Sequence, residues 1–83
     1  MSDLVDEILR TGEGMYVSVR ELPDGTIVGI GRLLFTTAIY MDMNRHGWGR
    51  RFCFEDRDLA WEEYHKLQTG DDVPQGWIAR RGG

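Results

Sequence analysis

Between Leu33 and Glu55 the chain reads LLFTTAIYMDMNRHGWGRRFCFE. Two apolar runs alternate with a period of two, and they flank a turn holding Asn44, Arg45, His46, Gly47, Trp48 and Gly49. That pattern predicts a β-hairpin with a basic, aromatic tip. Its first strand carries Leu33, Phe35, Ile39, Met41 and Met43 on one face and Leu34, Thr36, Ala38, Tyr40 and Asp42 on the other. The second face is mixed, which predicts a central strand covered in part on both sides. The second strand runs from Trp48 to Glu55, with Trp48, Arg50, Phe52 and Phe54 on one face and Arg51, Cys53 and Glu55 on the other.

The flanking segments supply the remaining elements. Leu4, Val5, Ile8 and Leu9 recur at helical spacing, with Ser2 placed to cap, Asp3, Asp6 and Glu7 early and Arg10 late. They predict a short N-terminal helix within residues 1–12 that must dock to be stable. Met15 to Leu22 reads as a strand, Pro23-Asp24-Gly25 as its turn, and Thr26 to Ile30 as the return. At Gly31-Arg32 a tight hairpin is favoured over a bulge in one long bent strand. Asp56 is a suitable N-cap for a main helix over Arg57–Thr69, with Glu62 and Lys66 paired across one turn and Gly70 as the stop. Ala60, Tyr64 and Leu67, flanked by Leu59 and Trp61, form its packing stripe. Residues 71–83 read as a polar loop and a closing strand or tail around Trp77-Ile78-Ala79.

The expected fold is therefore α+β, one domain over residues 1–83. An antiparallel sheet of four to five strands within residues 14–55 packs against one main helix within residues 56–70, with the short N-terminal helix alongside. Phe35, Ile39, Phe52, Phe54, Tyr64 and Leu67 are the expected core. A chain of 83 residues builds one modest core, worth roughly 3–8 kcal/mol of net stability.

Composition narrows the function classes. The net charge of −4 and pI near 5.0 argue against a dedicated nucleic-acid binder, which usually has a basic balance. A single cysteine, Cys53, rules out an internal disulfide and suits a reducing compartment. No run of residues is apolar enough for a membrane span, and the acidic start MSDLVDEILR lacks the features of a signal peptide. A cytoplasmic location is expected.

Candidate chemistry is sparse. His46, Cys53 and His65 match no zinc spacing, and Cys53 between two phenylalanines reads as a small core residue. No residue set supplies a nucleophile, an orienting base and an oxyanion site together, so no enzymatic activity and no cofactor are expected. Arg45, His46, Trp48, Arg50 and Arg51 concentrate positive charge and one large ring at the hairpin. Three readings of this set stand. The arginines pair with acidic neighbours while Trp48 covers the core edge; or the group binds a protein, for which Trp and Arg are favoured residues; or it grips phosphates and stacks a base.

Two resemblances extend this. The ending Arg80-Arg81-Gly82-Gly83 resembles the basic diglycine tail of ubiquitin and sulfur-carrier proteins. The order of elements departs from theirs, since a second hairpin intervenes where a helix is due. From Gly31 to Arg81, the FTTAIYMDM strand, the GWGRRFCFED strand, a helix and PQGWIARR are similar to short phage and prophage accessory proteins of unknown function. That resemblance implies a small non-enzymatic protein that binds stoichiometrically to a host protein or protein–nucleic-acid complex, as anti-CRISPR and other anti-defence inhibitors do. It carries over no site residue, and it leaves a homodimer open.

Overall fold

A computed structural model describes residues 3–12, 15–44 and 47–77. Two helices and a four-stranded antiparallel sheet make an α+β fold. The elements are α1 (Asp3–Thr11), β1 (Ser18–Glu21), β2 (Ile27–Arg32), β3 (Thr37–Met41), β4 (Arg50–Phe54) and α2 (Arg57–Lys66). The strands form a simple meander in the order β1-β2-β3-β4. Of the expected closing strand, Trp77 sets its ring edge-on against Phe52 at 5.2 Å; Ile78 and Ala79 lie outside the described residues.

The core has two layers because β2 and β3 are apolar on both faces. Every residue of Thr37–Met41 is buried, as a strand covered on both sides requires. On one face Val28, Ile30, Ile39, Met41, Phe52 and Phe54 pack with Leu22, with Ala60 and Tyr64 of α2 and with Leu67 just past its end. On the other, Val19, Ile27, Ala38, Tyr40, Met43 and Cys53 pack with Ile8, and Leu4, Val5 and Tyr16 close over them. The short helix does not lie alongside α2, as expected from the sequence. It covers the opposite face of the sheet.

The hairpin between β2 and β3 exists, but its turn is not at Gly31-Arg32. Gly31 pairs with Ala38 and Arg32 with Thr37, and the reversal takes place over residues 33–36, closed by Leu33 N–H to the Thr36 carbonyl at 2.8 Å. Gly31 serves a different purpose: the Met15 carbonyl lies directly over it, where a Cβ would stand. Leu33 and Phe35 therefore leave the expected strand. Phe35, expected in the core, is 86% exposed. Ile39, Phe52, Phe54, Tyr64 and Leu67 are buried. At the other end of the chain reversal, Pro23-Asp24-Gly25 forms the expected β1–β2 turn, with Gly25 at φ +94°, a conformation that glycine adopts freely.

The main helix starts where Asp56 caps it, its carboxylate accepting from the Asp58 and Leu59 amides. It stops at Lys66, short of the expected Thr69, because Leu67 turns extended. Arg20 of β1 closes that end: its guanidinium donates to the Tyr64 and Leu67 carbonyls and lies over the Tyr64 ring. A cation at a helix C-terminus meets both the free carbonyls and the negative end of the dipole. The expected Glu62–Lys66 pair gives way to Glu63–Lys66 at 3.0 Å. Glu63 is drawn inward because its other carboxylate oxygen accepts the Gln75 amide at 2.9 Å, and these bonds hold its carboxyl below its ordinary pKa.

Candidate functional site

The expected site lies at the end of the sheet where β3 passes into β4. Asp42 follows β3 with φ +58°, which breaks the alternation of the strand. Met43 consequently swings to the α1 face beside Tyr40, away from the Met41 face assigned from the sequence. Its amide bonds the Ile27 carbonyl at 3.0 Å. The tip is closed by paired backbone bonds between Asn44 and Gly47. The return begins with Gly49 N–H bonding the Met41 carbonyl at 3.0 Å, next to the Arg50 that pairs with Met41. This extra residue shifts the phase, so Trp48 does not share a face with Phe52 and Phe54.

These backbone features divide the basic set. Arg50 chelates Asp42, with Nε at 2.8 Å from one carboxylate oxygen, and also donates to the Gly70 carbonyl. It belongs to the framework that holds the loop after α2. The same loop is tied again by Gly70 N–H to the Asp24 carboxylate at 2.7 Å, and Asp24 also accepts from the Thr26 amide at 2.9 Å. Both bonds hold the Asp24 carboxyl below its ordinary pKa, Gly70 contributing most. Trp48 and Arg51 remain together on the α1 face. The Trp48 ring stands 5.4 Å from Tyr40, the Arg51 guanidinium lies 5.3 Å from the Trp48 ring centre, and Tyr16 meets Tyr40 edge-on at 5.2 Å. Burial raises the Tyr40 hydroxyl pKa, with the Arg51 charge opposing. Trp48 is 38% exposed, supported from beneath and flanked by a planar cation. Arg45 and His46 lie outside the described residues, as does the Arg80-Gly83 tail.

The remaining residues of the imagined metal set are far apart in environment. Cys53 is buried on the α1 face, and His65 is exposed on α2, across the sheet. Among the described residues no group of three or more His, Cys, Asp or Glu side chains is placed to hold a metal ion. No helix among them is long and apolar enough to cross a membrane.

The opposite end of the sheet carries a surface that sequence reasoning missed. Leu34 and Phe35 are each 86% exposed at the β2–β3 turn. They form part of the wall of an open groove of about 410 Å³ that runs to the start of α2, past Arg32, Glu55, Asp56, Arg57 and Asp58. One signal was available. A third strand from Leu33 to Met43 is about twice the usual strand length, and a second strand ending at Ile30 cannot pair with all of it.

The fold and its exposed side chains define a small α+β protein with a helix on each face of a four-stranded meander and an apolar feature at each end. No protein-family model, characterised protein or solved structure matches the chain.

Proposed function

We propose that this protein is a non-enzymatic binding module that acts by occupying a protein target, in the manner of a phage-type inhibitor or modulator of a host complex. The observation that carries this reading is Trp48, held partly in solvent between Tyr40 and the Arg51 guanidinium. An indole fixed in this way loses little freedom on binding, and Trp and Arg are the side chains that most often dominate protein interfaces. The choice of a host complex as target rests on the resemblance of the pattern from Gly31 to Arg81 to phage accessory proteins, read from the sequence alone.

The alternative, a nucleic-acid contact at the same hairpin, is supported less well. Arg50 is engaged by Asp42 and Gly70, so of the two arginines described there only Arg51 is free of a carboxylate partner, and the exposed Asp42 repels phosphate. The experiment is a titration of a purified host complex with the protein. Inhibition should saturate at a fixed molar ratio, and Trp48→Ala should weaken binding by about 2 kcal/mol. Full inhibition at a large substoichiometric ratio, or capture unchanged in a Trp48→Ala, Arg51→Ala double variant, overturns the reading. Retention of DNA or RNA that falls steeply with salt establishes the alternative instead.

A further inference from the structure

The β2–β3 end carries an independent inference. Single exposed apolar side chains are ordinary. Leu34 and Phe35 are different because they are adjacent, each 86% exposed, and carried on a turn closed by the Leu33–Thr36 backbone bond. Together they expose roughly 300 Å² of apolar surface, the size of a functional patch on a small monomer. The groove that they help to line is bordered by side chains of both signs: Arg32 and Arg57 against Glu55, Asp56 and Asp58, all exposed. The nearest pairing within the chain, Arg57 to Asp58, is loose at 4.0 Å.

We propose that this end is a self-association surface, forming a two-fold dimer in which Leu34 and Phe35 of one copy seat in the groove between the β2–β3 turn and the start of α2 of the other. A two-fold interface must be complementary to itself, each residue meeting a different residue of the partner. This surface meets that condition, since it holds the apolar knob, the groove for it, and both members of the charge pairs that would ring it. An anionic membrane or nucleic acid would meet three carboxylates there. The ten groove-lining residues fall below the roughly 20–30 per side of a standard interface. The dimer is therefore weak and concentration-dependent. Because Trp48 lies at the other end of β3, the dimer leaves both Trp48–Arg51 surfaces uncovered.

Sedimentation equilibrium from about 1 to 500 µM tests this without reference to any target. The mass should rise from 9.6 kDa toward twice that value. Phe35→Asp and Leu34→Asp should each remain monomeric at every concentration while keeping the wild-type melting temperature. On dilution, amide NMR shifts should move in residues 32–37 and 55–58. A wild-type chain that is monomeric throughout overturns the proposal, as does a dimer that survives both substitutions. Concentration-dependent shifts at Trp48 instead, or retention of monomers on neutral lipid vesicles, overturn it equally.

Discussion

The two ends of the sheet use their polar side chains in opposite ways. At the β3–β4 end, Asp24 and Arg50 bind the loop that follows α2 and Asp42 holds Arg50 in place, while Arg20 closes the helix itself. At the β2–β3 end, Asp56 caps α2, but the turn is closed through its own backbone and leaves Leu34 and Phe35 in solvent. Asp24, Asp42 and Arg50 at the first end are committed to structure, and the apolar surface of Leu34 and Phe35 at the second is not. A basic cluster in a sequence thus says little about available charge, and an apolar run says little about burial, until the partners of each side chain are known.

The largest difference expected lies between two phenylalanines that the alternation pattern treats alike, one buried beside the β2–β3 turn and one exposed on it. Phe54 is fully buried against α2, so Phe54→Ala should cost about 3–5 kcal/mol in urea denaturation, enough to unfold much of so small a domain. Phe35→Ala should change stability by no more than about 0.5 kcal/mol. Equal losses at the two sites would mean that the turn is packed in solution and that the contrast fails.

Next in size is Arg20, which bonds two carbonyls at the end of α2 across from β1. Arg20→Met keeps the stem and removes the charged donors, and should cost about 1.5–3 kcal/mol. An unchanged melting temperature would show that α2 ends without help from the sheet. Gly31→Ala should follow, at about 1–3 kcal/mol, through a clash with the Met15 carbonyl. If the strain is as local as this geometry implies, hydrogen exchange should quicken in α1 and the segment joining it to β1 before it does in α2.

The smallest effect is expected in acid. Asp24 and Glu63 both hold their carboxyls below the ordinary range, through the Gly70 and Gln75 amides respectively. Each stabilises the folded state fully above its unfolded pKa of about 4, and that contribution is lost as pH falls through the lower folded pKa. Asp24→Asn and Glu63→Gln should therefore flatten the decline in stability below about pH 4, while changing its shape little near neutrality. A wild-type acid limb in both variants would show that these bonds do not persist in solution.

Much of the fold was legible because it rests on local rules. Apolar alternation over Thr37–Met41 and Arg50–Phe54 reports strands, since side chains of a strand alternate between faces whatever surrounds them. Pro23-Asp24-Gly25 and the Asp56 cap depend on backbone geometry within a few residues. Central burial of β3 and the packing stripe of α2 follow from the same periodicities.

What the tertiary structure alone decided is where that phase breaks and whom each side chain meets. Asp42 in the left-handed region and the extra residue at Gly49 sent Met43 and Trp48 to the α1 face, and no local pattern marks either event. Gly31 looked like a turn residue, but its lack of a side chain answers to Met15, sixteen positions earlier in the chain. Arg50 and Arg51 are neighbours in sequence, yet one is bound to Asp42 and Gly70 and the other lies over Trp48. Helices on opposite faces and a divided basic cluster arise from contacts between distant segments. Periodicity records which way a side chain points from its own backbone, and only the packed chain supplies what stands opposite.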